Sequence, residues 1–242
     1  MAEKPAQGPG EPRQLALDLP VEERLGAEDF LVSPSNETAY AALESWPAWP
    51  DTVMLLVGPP GSGKTHCAAI WAERSHAWRL QRAELRLESV PHLVSGGALV
   101  IEDCDRARGH EAALFHLLNA ARERKAFVLL TARTPPGDWG LTTPDLLSRL
   151  RLAPTAVLGE PDDALVRAIL VKLFLERQIV IDTSVVDFLT SRIERSVTAA
   201  RGIVDALDRE GLERGRRITR PLAGELLKRL EANGGMPEER RG

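Results

Sequence analysis

The chain has 242 residues, 43% of them hydrophobic and 27% charged, with a formal net charge of -4. That length suits one large α/β core or a core with a small helical lobe, and the acidic balance argues against polyanion binding as the main purpose. No apolar run is long enough to span a bilayer, and residues 1–11 are polar with no apolar signal core, so the chain reads as cytoplasmic with no membrane partner.

In chain order, residues 1–27 carry Pro5, Gly8, Pro9, Gly10, Pro12 and Pro20 and read as an extended tail. A helix is predicted over 33–45, with Ser33 as its cap, Pro34 at the first helical position, and Tyr40 and Leu43 on its apolar face. Residues 46–50, Trp-Pro-Ala-Trp-Pro, break it. The apolar run 53–57 is a buried strand, followed by a Gly-rich loop and a helix over 64–74. Further strands are predicted over 77–80, 98–101, 127–131 and 156–158, with a helix over 110–124 and a short one starting at Thr143-Pro144. This alternation is the pattern of a parallel sheet covered by helices on both faces. From residue 160 the pattern is helical only, over 161–177, 183–193, 197–214 and 220–231, and residues 233–242 are a polar end expected to fray. Cys67 and Cys104 both fall in apolar segments, where a small buried hydrophobe is expected.

The richest signal is Gly58-Pro59-Pro60-Gly61-Ser62-Gly63-Lys64-Thr65, set between a predicted strand and a predicted helix. It reads as a phosphate-binding P-loop. Backbone N–H groups of the Gly-rich turn wrap a phosphate at the positive end of the helix, Lys64 reaches the β/γ-phosphates, and the Thr65 hydroxyl can hold Mg²⁺. Such a site needs a carboxylate at the end of a neighbouring strand, for Mg²⁺ or for the attacking water, and Glu102-Asp103 supplies it. Arg133, after the next strand, is a sensor candidate that can pair with phosphate or with Glu102. Arg149, at the end of a short helix, can reach a neighbour's γ-phosphate, and Arg201, one turn into a later helix, can lean over the bound phosphates. A basic series, Arg214, Arg216, Arg217, Arg220, Lys228 and Arg229, reads as a solvated helical face.

Glu102-Asp103 after a strand, Ser148-Arg149 before one, and Arg201 in a helical lobe together resemble the AAA+ proteins, more closely the DnaA/Hda family. The segment Phe30-Leu31-Val32-Ser33-Pro34-Ser35-Asn36 is similar to the one that lines the adenine pocket in that family, which makes Phe30, Val32 and Asn36, with His66 beside the P-loop, candidate nucleotide contacts. The resemblance covers residues 28–230. It implies an AAA+ P-loop NTPase core with a parallel sheet between helices over 28–159, a small all-α lid lobe over 160–232, and ADP or ATP as ligand, with Mg²⁺ at Thr65 and Glu102. It further implies that Arg149 is a finger acting in trans and Arg201 a second sensor. Glu102 stands where Asp is usual, and Arg133 stands near an acidic or amide first sensor, so binding is expected ahead of rapid turnover.

No room is left after the lobe for the helix-turn-helix domain that follows it in DnaA, so an Hda-like regulator without sequence-specific DNA binding is expected. In the tail, Gln14-Leu15-Ala16-Leu17-Asp18-Leu19 resembles peptides that bind the bacterial sliding clamp, the β subunit of DNA polymerase III. An extended peptide can set the Gln14 amide at a pocket rim while its leucines enter apolar pockets. From Gln14 to Phe30 the chain reaches about 55 Å at most, the length of a tether. The expected partners are therefore the clamp and DnaA, with a homodimer also allowed. The expected role is negative regulation of replication initiation through hydrolysis of ATP on DnaA. A nucleic-acid-dependent AAA+ ATPase, such as a helicase loader or clamp-loader-like subunit, is the alternative.

Overall fold

The computed structural model describes residues 25–106, 111–215 and 217–232, and of Arg214 the backbone alone. The clamp-like peptide, Arg216 and residues 233–242 lie outside the described residues.

Five parallel strands form one sheet in the order β2-β3-β4-β1-β5: β1 Val53–Val57, β2 Trp78–Gln81, β3 Ala98–Glu102, β4 Phe127–Ala132 and β5 Thr155–Val157. Parallel neighbours need crossovers, and helices supply them: α2 Lys64–Ser75 after β1, α4 Glu111–Arg124 after β3 and α5 Pro144–Leu152 after β4. Side chains alternate along β1, which assigns each to a layer. Val53, Leu55 and Val57 join Leu114, Leu117 and Leu118 of α4 and Leu146 and Leu150 of α5. Met54 and Leu56 join Cys67, Ala68 and Trp71 of α2 and Ala39 and Leu43 of α1 Glu37–Glu44. β1, β3 and β4 are covered on both faces, which is why their sequences are continuous apolar runs.

The predicted cap at Ser33 is corrected to Asn36. The Ser33 carbonyl accepts N–H bonds from Asn36 and Glu37, and the Ser33 N–H donates to Asn36 Oδ1 at 2.8 Å, so residues 33–36 form a turn and regular helix starts at Glu37. The span 82–96, where no element was predicted, is a chain of short helical turns around α3 Val90–Leu93 that buries Leu85, Val90 and Val94 against the sheet. Its apolar spacing is too short and irregular to announce a helix.

After β5 come α6 Asp163–Glu176, α7 Thr183–Thr190, α8 Val197–Arg214 and α9 Arg220–Ala232. α6, α7 and α8 open with side-chain caps, in which Asp162, Asp182 and Ser196 accept from the N–H of Leu165, Ser184 and Ala199. Their apolar faces make a separate core that includes Val166, Leu170, Phe174, Leu189, Ile203, Leu207 and Leu226. Cys67 and Cys104 are both buried, and burial pushes the Cys67 thiol up to about 12 and raises that of Cys104 as well, which keeps both protonated.

Candidate nucleotide site and arginine face

The C-terminal ends of β1, β3 and β4 bring the candidate site together, where open parallel sheets place their ligand crevice. The Gly58 N–H donates to the Ala132 carbonyl of β4 at 3.1 Å, which ties the start of the loop to the sheet. Gly61 and Gly63 then take left-handed φ values of 69° and 94°, which favour glycine and wind the loop into the first turn of α2. The N–H groups of that turn have no acceptor within the helix and are available to an anion. The Ser62 hydroxyl is buried with no hydrogen-bond partner, an orphaned polar atom inside the loop. The loop is thus shaped and polarised to take phosphate.

Its charged side chains are already engaged. Lys64 Nζ donates to the carbonyls of Gly58 at 2.7 Å and Pro59 at 2.8 Å. Burial, and then the neighbouring Arg133, lowers the Lys64 pKa from its ordinary value, against the opposing pull of Asp103, Asp105 and Glu102. The Thr65 hydroxyl donates to Glu102 Oε2 at 2.9 Å, and Arg79 Nη2 lies 2.7 Å from Glu102 Oε1. A hydroxyl and a carboxylate are the residue types that would hold Mg²⁺ at a P-loop, but here the Arg79 guanidinium is paired with the Glu102 carboxylate, a cation where the metal's charge would be wanted.

Asp103 follows with φ 55°, a left-handed conformation unusual outside glycine, and its N–H donates to Thr131 Oγ1 at 3.2 Å. Arg133 stands exposed after β4 and acts electrostatically on Lys64, while the ion pair with Glu102 is made by Arg79.

Phe30 stacks on Tyr40 with centroids 4.9 Å apart and meets His66 edge-on at 5.2 Å, and its ring lies 3.6 Å from where a Cβ on Gly63 would stand. Pro59 and Pro60 give the loop its entry. Asn36 is buried and spends its amide on the backbone of Leu31 and Ser33, so it shapes this segment from within; Val32 is 55% exposed. His66 Nε2 meets the Gly26 carbonyl at 2.9 Å, and burial, aided by the charges of Arg201 and Lys172, lowers its pKa. Arg201 therefore sits close enough to act on α2.

The helical lobe meets the loop directly: the Val197 N–H donates to the Gly61 carbonyl at 2.9 Å, and a Cβ on Gly61 would come within 2.3 Å of Ser196 Cβ. Lys172 of α6 pairs with Asp29 at 2.5 Å, a second bond between lobe and entry segment.

Arg149 lies away from this cluster on α5, with its guanidinium 5.2 Å from the Phe115 ring centroid. Nearby in the chain, Leu152 is 79% and Val157 63% exposed. The start of α5 is fixed by Glu111, which accepts from the Thr143 N–H at 2.8 Å and from the Thr142 N–H at 2.9 Å and hydroxyl at 3.0 Å. These bonds, Thr143's foremost, hold the Glu111 carboxyl at about 2.

Comparison with known proteins joins both parts of the molecule. The family model described as "Hda, lid domain" matches residues 163–227. The chain is 24% identical over 206 residues to the chromosomal replication initiator protein DnaA 2 of Chlamydia caviae, over 74% of this chain and 44% of that protein. It superposes on domain III of the Thermotoga maritima replication initiation protein DnaA with a TM-score of 0.74 at 21% identity, covering 87% of this chain and 98% of the other. The helical lobe thus matches the lid domain of Hda, and the fold is that of DnaA domain III.

DnaA from Aquifex aeolicus bound to AMPPCP shares this AAA+ fold, with a TM-score of 0.65 at 19% identity over 85% of this chain and 69% of that one. A putative insertion sequence ATP-binding protein of Sinorhizobium fredii is 33% identical over 135 residues, 48% of this chain and 45% of the relative. The chain thus spans less than half the length of these curated relatives. Sequence reasoning missed Arg79, Glu111 and the Gly61–Ser196 contact. An arginine inside strand β2 was a visible signal, but its partner depends on register with β3.

Proposed function

We infer that this DnaA-related AAA+ protein is an Hda-like negative regulator of replication initiation in the cytoplasm. Tethered to the sliding clamp through Gln14, Leu15, Leu17 and Leu19, it presents Arg149 to ATP held by DnaA, and hydrolysis there switches the initiator off. The observation that carries this reading is the match of residues 163–227 to the lid domain of Hda on a chain that superposes over 87% of its length on DnaA domain III.

The site geometry supports a division of labour. The P-loop holds ADP or ATP through Lys64 and the loop backbone, with Phe30, Val32 and His66 toward the base and Arg201 over the phosphates. The bound nucleotide bridges loop and lobe, which already touch at Gly61 and Val197. Arg149 takes no part in that site. On the same helix, one turn on, Leu152 is 79% exposed, which suits this side of α5 to a neighbouring AAA+ surface or to a second copy of this chain. A guanidinium delivered to a γ-phosphate from such a face stabilises charge developing in the transition state.

Hydrolysis by DnaA–ATP with DNA-loaded clamp, measured for wild type, Gln14→Ala and Arg149→Ala, tests the reading. Loss of stimulation in both variants joins tail and finger in one mechanism. Full stimulation by Arg149→Ala sinks it.

The second reading, a nucleic-acid-dependent ATPase, is favoured by the match to the insertion sequence ATP-binding protein. It requires turnover by this protein alone that rises with DNA, measured by phosphate release with and without single strands.

A further inference from the structure

We propose that Arg79 is a positioning residue that acts as an internal counter-ion to Glu102, so that the P-loop site binds nucleotide with little dependence on divalent metal. The inference rests on the reading that this P-loop holds ADP or ATP.

The parallel register pairs Arg79 with Val100 and Gln81 with Glu102. Residues two apart on a strand share a face, so Arg79, Val100 and Glu102 all lie on the side of the sheet covered by α2. From one pair back, the Arg79 side chain runs along the sheet and ends with Nη2 2.7 Å from Glu102 Oε1. The Glu102 side chain is only 7% exposed and that of Arg79 35%, so the pair is poorly screened at the carboxylate. The other oxygen, Oε2, takes the Thr65 hydroxyl at 2.9 Å. Both oxygens of the Glu102 carboxylate, the one hydrogen-bonded to Thr65, therefore accept from donors of the chain.

Two physical effects oppose a divalent ion here. The guanidinium neutralises the carboxylate that would attract the ion and adds a positive charge facing it at short range. The Thr65 hydroxyl spends its proton on the same carboxylate, which lowers further the negative charge that Glu102 has to offer an ion. Nucleotide affinity is then left to Lys64 and the loop amides, neither of which needs metal. Glutamate serves this arrangement better than aspartate, since the extra methylene lets one carboxylate reach both Thr65 and Arg79.

Binding of a fluorescent N-methylanthraniloyl-ADP, measured in excess Mg²⁺ and in EDTA, tests the proposal without reference to turnover. Wild type is expected to bind with affinities in the two conditions that agree within about threefold. Arg79→Gln, which keeps length and removes charge, is expected to bind at least about tenfold more tightly with Mg²⁺ than with EDTA. Arg79→Lys should restore the wild-type ratio. Glu102→Asp supplies an independent arm, since it draws the carboxylate away from Arg79 while leaving it near Thr65, and it should raise the ratio as well. Tight binding by every protein with the same ratio throughout overturns the role of Arg79 and leaves the nucleotide reading standing. Absence of binding by wild type in both conditions overturns the nucleotide reading and this proposal together.

Discussion

The P-loop end of the sheet and the face around Arg149 belong to one domain and use their cations in opposite ways. At the P-loop, Lys64 donates to two loop carbonyls, Thr65 to Glu102, and Glu102 pairs with Arg79. On α5, Arg149 rests on the Phe115 ring while Leu152, one turn on, stands in solvent. A region whose charged side chains already pair within the chain is built to hold a shape. A region with a charged tip on an aromatic ring and apolar neighbours in water is completed by another surface.

The largest effect expected from this contrast is on Arg149. Arg149→Ala should lower stimulation of hydrolysis on DnaA by about 10³-fold to 10⁵-fold, the range of arginine fingers in other P-loop systems, and leave ADP binding unchanged. Phosphate release and calorimetric ADP titration, run side by side, check both halves. Lys64→Ala should do the reverse at its own site, weakening ADP by on the order of 100-fold, as expected when one partner of a charge-assisted contact is removed. Its titration heat is the readout, and unchanged affinity would break the contrast.

A smaller change is expected at the joint between the lobes. Gly61→Ala places a Cβ within 2.3 Å of Ser196 Cβ at a residue with φ 69°, so either loop or lobe must shift. A cost of about 1–3 kcal/mol follows, seen as a fall in Tm of about 2–4 °C per kcal/mol. The smallest effect is expected at Glu111. Its carboxyl titrates at about 2 in the fold, below the ordinary 4.5, so the stabilisation it gives is fully present above the unfolded value and is lost as pH falls through the folded one. Glu111→Gln should therefore lower the denaturation midpoint slightly near pH 6 and match wild type near pH 2. A difference that grows toward low pH would contradict the bonds to Thr143 and Thr142.

Much of this was legible before any coordinates. The five strands, the P-loop helix and the four helices of the lobe were predicted near their observed positions, because the signals are local: an alternating or continuous apolar run, a Gly-rich turn, a cap before a periodic stretch. Where local signals conflict, expectation and structure part. Ser33-Pro34 looks like a helix start, yet the Asn36 amide binds the backbone of Leu31 and Ser33 ahead of it and regular helix is deferred to Glu37. The span 82–96 has too few apolar residues at regular spacing, and only burial against the finished sheet makes it helical.

The sequence by itself determined the phosphate loop, the class of sheet and the candidate arginines, since each is written in a few consecutive residues or in one period. Tertiary structure alone decided which charges meet. Glu102 took Arg79 as its partner, with Arg133 left in solvent, because β2 lies beside β3 in a register that no short segment encodes. Gly61 met Ser196, and Glu111 met Thr143, across separations that only the wound sheet closes. In a parallel sheet the crossovers are long, so neighbours in space are strangers in sequence, and the pairing of buried charges is settled by packing.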